Sequence, residues 1–159
     1  MIKITLIALG KLKEKYLVSA VDEYKKRLSR YCELKICELE PVRLPDKPSE
    51  SEISAALDKE AELIFKNIPA QSTVITLCVE GKAMSSPEFA QRIKEQTNMG
   101  KNITLIIGSS YGLSERVKKA SQIRLSVSEM TFPHQLFRVM LLEQLYRAFK
   151  INEGSAYHK

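Results

Sequence analysis

Only two histidines occur in the chain, His134 and His158, and both fall within the last 26 residues. His134 stands at the start of a helical pattern, and Arg138 follows it by four residues, so the imidazole and the guanidinium share one helix face. That pairing suits the binding or deprotonation of an anionic or acidic substrate. Just before it, Ser128-Glu129-Met130-Thr131-Phe132-Pro133-His134 sets hydroxyl, thioether and aromatic groups on successive positions. The free amides of a helix start there can hold a carboxylate or an adenine edge, and Met and Phe can line a flat aromatic ligand. The competing reading is a helix start with a hydrophobic staple.

A second candidate is Gly108-Ser109-Ser110-Tyr111-Gly112. Two glycines let a backbone approach a ligand closely or turn with φ > 0, although a plain turn explains the loop equally well. The loop is neither GxGxxG nor GxxxxGK[ST], so neither a dinucleotide nor a nucleoside triphosphate is indicated. Metal chemistry has no support, because two histidines without suitably spaced partners make no zinc site. Cys32, Cys37 and Cys78 form no CxxC and are odd in number, so they read as small buried hydrophobes rather than a disulfide or thiolate framework.

The elements that must position these groups follow from periodicity. Strands are expected at 2–9, 34–39, 72–79, 102–107 and 123–127, and helices at about 14–30, 52–67, 86–98 and 133–151, with a short one capped by Ser114. Pro41, Pro45 and Pro48 make 41–51 a loop. Strands that alternate with helices predict an α/β fold, with about five mainly parallel strands and helices on both faces. Ligands of such sheets bind beyond the carboxyl ends of the strands. The segments to watch are therefore Gly10 to Lys15, Val79 to Ser86, Gly108 to Leu113 and Ser128 to His134. In the last helix, Leu136, Phe137, Val139, Met140, Leu141, Leu142, Leu145, Tyr146 and Phe149 cover more than one stripe, which implies burial on nearly all sides. Either it is a central core helix, or its second side packs on another subunit, and a dimer is the preferred expectation.

At 159 residues and 44% hydrophobic composition, the chain is long and apolar enough for one core, which excludes global disorder. Its longest apolar runs, Ile4 to Leu9 and Ile103 to Ile107, are far short of the roughly 20 residues that span a bilayer. The opening residues read as a strand rather than a secretion signal, and the expected compartment is the cytoplasm. Charge is uneven. Residues 1–31 carry 8 basic and 3 acidic groups (net +5), residues 32–100 carry 8 and 12 (net −4), and residues 101–159 carry 9 and 4 (net +5). If the basic ends meet, they form a positive face for a polyanion, with nucleic acid the obvious candidate.

Several segments together resemble one family. They are Lys3-Ile4-Thr5-Leu6 through Gly10-Lys11-Leu12-Lys13, the strand Thr73 to Leu77, Ile107-Gly108 through Tyr111-Gly112-Leu113, Met130-Thr131-Phe132-Pro133-His134-Gln135 with Arg138, Glu143 to Ala148, and the terminal Tyr157-His158-Lys159. These are similar to the ribosomal RNA large subunit methyltransferase H family, of the SPOUT class. The resemblance runs over the whole chain and implies one domain over residues 1–159, a C-terminal trefoil knot and a homodimer. It further implies S-adenosylmethionine as cofactor, and methylation of N3 of a pseudouridine in the helix 69 loop of 23S ribosomal RNA within the assembled ribosome. Cofactor contacts are then expected at Leu77, Gly108 and the run Val127, Ser128, Glu129, Met130, Thr131, Phe132. No metal and no membrane contact is expected. His134, Arg138, Tyr157 and His158 would surround the target base, with Arg138 stabilising the developing anion and either histidine as the base.

One departure is Ser109, where the family commonly has a second glycine. A blocked pocket there would leave the alternative function, a non-catalytic, ribosome-associated RNA-binding module on the same scaffold. In both readings Lys11, Lys13, Lys15 and Arg147 hold RNA phosphates. Affinity for RNA should therefore fall steeply as salt is added, and a flat salt titration would remove the basic ends from the RNA contact.

Overall fold

A computed structural model describes residues Met1–Lys159. Five strands alternate with five helices in the order β1 (Ile2–Leu9), α1 (Lys15–Leu28), β2 (Cys32–Leu39), α2 (Glu50–Asn67), β3 (Ser72–Ala83), α3 (Ser86–Asn98), β4 (Asn102–Ile107), α4 (Glu115–Ala120), β5 (Ile123–Ser126) and α5 (His134–Asn152). All pairings are parallel, and the strands lie in the order β2-β1-β4-β3-β5. The α/β expectation is met, and all five carboxyl ends share one edge of the sheet.

The helix boundaries are set by local chemistry. Ser49 and Ser85 each accept the amide of the residue three further on, Glu52 or Glu88. The glutamate side chain in turn accepts the serine amide, so α2 and α3 both begin on a capping box. Because Ser49 is the cap, α2 begins two residues before the expected position. Ser114 caps α4, as its sequence position implies.

Strands β1 and β4 supply the most buried side chains, among them Ile4, Leu6, Ile7, Ile103, Leu105 and Ile106. On one face α1, α3 and α5 complete a core with Leu28, Ile93, Leu141, Leu142 and Leu145. On the other, Ala61 and Ile64 of α2 and Val117 of α4 complete a smaller one. Every step from one strand to the next uses the helix face that keeps its crossover the same hand as the others, as the twist of parallel strands demands. No helix is long and apolar enough to cross a membrane.

Helix α5 lies between α1 and α3. Those neighbours account for the burial of Leu141, Leu142, Leu145 and Ala148 within one chain. What they leave uncovered is the start of α5, where Leu136 is exposed and Phe137, Val139 and Met140 are half-buried. The apolar breadth of this helix is thus mostly core, with a smaller unsatisfied patch beside His134.

Strand β3 departs most from expectation. It does not stop at Val79 but runs on to Ala83, and it pairs with β5 in two registers, because Leu77 and Lys82 both stand opposite Leu125. The four residues Cys78 to Gly81 are looped out between them. Gly81 is required at the return, since a Cβ there would lie 2.7 Å from the carbonyl carbon of Leu125 and 2.8 Å from that of Arg124. Gly81→Ala should therefore lower stability by about 1–3 kcal/mol in a denaturant melt, since backbone must move to admit the methyl group. An unchanged melt would show that the two-register pairing is not rigid.

Candidate active site at the carboxyl edge of the sheet

The loop-out of β3, the turn after β4 and the segment after β5 close around a cavity of about 380 Å³. This is a volume typical of small-molecule sites. Leu77, Ile107, Leu125, Val127 and Phe132 give it largely apolar walls, and His134 and Phe137 of α5 close one end.

The turn after β4 is built on close approach. A Cβ on Gly108 would sit 2.3 Å from the carbonyl oxygen of Gly112, so only glycine lets the chain fold back on itself here. Gly112, with φ of +83°, returns its amide to the Ser109 carbonyl at 2.8 Å. After β5, the Ser128 hydroxyl accepts the Met130 amide at 3.0 Å and the Ser128 carbonyl accepts the Ser126 hydroxyl at 3.3 Å, which curls 126–130 toward the cavity.

Of the residues expected to contact a cofactor, Leu77, Gly108, Val127, Ser128, Met130, Thr131 and Phe132 line this cavity. Glu129 is not among the lining residues, being the middle of the Ser128–Met130 turn. Ser109 also differs from expectation. Although it belongs to the wall, its hydroxyl donates to Oε1 of Glu60 at 2.9 Å and is committed to α2 rather than extended as an added obstruction.

The four residues expected around a substrate base are not brought together within one chain. His134 lines the cavity. Arg138 is 2% exposed, and its guanidinium donates to Oε2 of Glu38 at 2.6 Å and to the Gly10 carbonyl at 3.0 Å. The guanidinium is sealed between the ends of β1 and β2 and ties those loops to α5, and its Nε has no partner. Tyr157 and His158 pack farther along α5, where the Tyr157 hydroxyl donates to Glu143 at 3.1 Å and the His158 ring lies 3.3 Å from Arg147. At 1.5 Å per residue, the 13 helical positions from His134 to Arg147 span about 20 Å.

Sequence reasoning missed Glu80 and Lys118, which line the cavity as an ion pair, with Glu115 3.5 Å from the same ammonium. The hydrogen bond from Lys118 holds the Glu80 carboxyl below the ordinary range. Burial, together with the Glu80 charge, pushes the Cys78 thiol up. Nothing in periodicity pairs these residues, because it is the loop-out of β3 that brings Glu80 to Lys118 of α4. Burial, followed by the nearby Arg138 charge, holds His134 below the usual imidazole value of 6.5, so it is neutral at pH 7.

This fold and cavity define an α/β protein with a largely apolar cleft, edged by the Glu80–Lys118 ion pair, at the carboxyl ends of its strands. A profile described as "Predicted SPOUT methyltransferase" matches residues 2–158. Among curated proteins, the chain is 54% identical over 157 residues to the "Ribosomal RNA large subunit methyltransferase H" of Clostridium botulinum strain Eklund 17B, and 52% identical to that of Clostridium novyi. Each match covers 98% of this chain and 99% of the relative. Among solved structures, a "probable methylase family protein" from Haemophilus influenzae Rd KW20 superposes with a TM-score of 0.56 at 18% identity, covering 99% of this chain and 70% of that one, which is a likeness of fold. The chain belongs to the SPOUT methyltransferase family.

The buried cation beside His134 has a measurable consequence. Arg138→Leu should raise the His134 pKa toward 6.5 in an NMR titration, because a like charge is removed. It should also lower the unfolding midpoint, since Glu38 and the Gly10 carbonyl lose their donor. A His134 pKa that stays where it was would assign the depression to burial alone.

Proposed function

We propose that this protein is the S-adenosylmethionine-dependent methyltransferase that modifies N3 of a pseudouridine in the helix 69 loop of 23S ribosomal RNA, acting in the cytoplasm on assembled ribosomes. One observation carries the reading. Leu77 of β3, the turn after β4 with Gly108, and the segment after β5, which carry the residues the family resemblance assigns to the cofactor, meet around one cavity with a neutral histidine at its end. The cavity suits the cofactor by volume, by apolar walls for an adenine ring, and by the Gly108 turn, whose missing side chain lets backbone close in.

S-adenosylmethionine supplies an electrophilic methyl group on a sulfonium sulfur. Leu77, Gly108 and the curl from Val127 to Phe132 would hold it and keep water out. Its acceptor, the N3 of a uracil-type ring, must lose a proton. In this reading His134, neutral at pH 7 and lining the cavity, takes it, with Nε2 or Nδ1 as acceptor. Arg138 acts one step removed, fixing the ends of β1 and β2 against the helix that carries His134. Much of the rate gain then comes from alignment of the two reactants in a dry site.

The reading includes a homodimer. Along the helix, the anchors of Tyr157 and His158, Glu143 and Arg147, stand about 14 Å and about 20 Å from the His134 of their own chain, so the two tail residues would complete a site in a second copy. The exposed Leu136 and half-buried Val139 and Met140 supply an apolar patch for that contact near the cavity. The alternative of a non-catalytic RNA-binding module rested on Ser109 narrowing the pocket, and the Ser109–Glu60 bond weakens its basis.

Calorimetric titration with S-adenosylmethionine, followed by transfer of labelled methyl to ribosomes lacking the modification, tests the proposal. Saturable heat and label at a single pseudouridine are expected. RNA binding without cofactor heat or label would instead favour the binding module. Two variants sharpen the test. Gly108→Ala should abolish cofactor binding, because its methyl group would occupy the space of the Gly112 carbonyl. Single-turnover rates should fall as pH drops through a midpoint below 6.5, where His134 gains its proton, and His134→Ala should lack that acid limb.

A further inference from the structure

Glu60 is the only acidic residue in the buried core, 3% exposed on α2. No lysine, arginine or histidine lies within ion-pair distance of it. A carboxylate withdrawn from water without a cation is costly, and hydrogen bonds to its oxygens are what offset the cost. Glu60 has two, one per oxygen. Oε2 accepts the backbone amide of Val42 at 2.9 Å, and Oε1 accepts the hydroxyl of Ser109 at 2.9 Å.

The two donors come from different places. Val42 belongs to the proline-rich segment between β2 and α2, far from the cavity in sequence and absent from its lining. Ser109 belongs to the turn after β4 that forms one cavity wall. That turn is stiff within itself, through the Gly112 amide on the Ser109 carbonyl and the contact of Gly108 with the Gly112 carbonyl. Stiff units move as a whole, so the side chain that anchors Ser109 also sets where Tyr111 and Gly112 stand around the ligand.

We infer that Glu60 is a positioning residue of the cofactor pocket. Through Ser109 it holds the β4 turn in the ligand-ready position, and through Val42 it couples the proline-rich segment to the occupancy of the pocket. This rests on the reading that the cavity takes S-adenosylmethionine, and it extends that reading to a residue that touches no ligand. The physical basis is preorganisation: a turn already anchored loses less freedom when the ligand binds.

The test is calorimetric titration of the full chain with S-adenosylmethionine, for the wild type and for Ser109→Ala, Glu60→Ala, the double variant and Glu60→Gln. Ser109→Ala, which removes one of the two donors to Glu60 and no apolar packing, should raise Kd about tenfold, the scale of one hydrogen bond to a charged group. The double variant should bind no more weakly than Glu60→Ala, because both substitutions break one link. Glu60→Gln should stay within about twofold of wild type, since its carbonyl can accept the Val42 amide while its NH₂ donates to the Ser109 oxygen. Hydrogen exchange at the Val42 amide should slow on addition of S-adenosylmethionine in the wild type and not in Ser109→Ala. Ser109→Ala at wild-type affinity, or thermal destabilisation of the Glu60 variants with unchanged Kd, would overturn the inference and leave Glu60 a stabilising residue only. A wild-type protein that binds no S-adenosylmethionine would instead remove the cofactor reading itself, and the inference with it.

Discussion

The double registration of β3 against β5 is the constraint on which the site depends. Leu125 is opposite Leu77 and again opposite Lys82, so four residues must leave the sheet between them. Without that loop-out, β3 would run straight past β5 and Cys78 to Gly81 would spend their length on pairing. With it, Cys78, Val79 and Glu80 form a wall, and the chain after β5 is brought alongside the turn after β4. The room comes from Gly81, which has none to give to a side chain. Parallel pairing supplies the rest, since it places every strand's carboxyl end on the same edge.

Two buried charges then hold the cavity from opposite faces of the sheet, and they do so differently. Arg138 on α5 is paired with Glu38 and capped by the Gly10 carbonyl, a charge-assisted tie between the first two strands and the last helix. Glu60 on α2 has no cation and relies on neutral donors. Each carries a tether to a loop at the carboxyl edge, the Gly10 carbonyl in one case and the Ser109 hydroxyl in the other. Such interiors rarely gain stability from charge, because desolvation consumes most of the attraction. What they gain here is fixed loop geometry around a site that is otherwise apolar.

Helix α5 joins the site to the far end of the molecule. Its first turn offers His134 to the cavity, and its middle and later turns hold Tyr157 and His158 through Glu143 and Arg147, with the Arg147 guanidinium 4.8 Å from the Tyr157 ring centre. Tyr24, Tyr31, Tyr146 and Phe149 pack around the same end, Tyr31 stacking on Phe149 at 5.3 Å. A tail held this firmly is an ordered surface rather than a loose end. Helix α5 thus carries His134 at its start and anchors the tail on its middle and later turns.

Much of this architecture is written locally. The alternation of β-branched runs with amphipathic stretches determines five strands and five helices, and serines at 49, 85 and 114 mark helix starts because a hydroxyl can satisfy free amides wherever the chain lies. The Gly108 turn and the segment after β5 are legible as cavity walls because parallel sheets expose their carboxyl ends, although Glu129 turns out not to line the cavity. What the sequence could not disclose is every feature that joins residues distant along the chain. The loop-out of β3 depends on where β5 pairs, the Glu60–Ser109 bond spans 49 positions, and the sealing of Arg138 by Glu38 spans 100. Spacing on one helix placed Arg138 beside His134 correctly but could not say which of them faces the cavity. That is decided by burial, and burial is a property of the packed whole: a side chain's neighbours across the fold, not along the chain, determine whether its charge is spent on structure or left for a ligand.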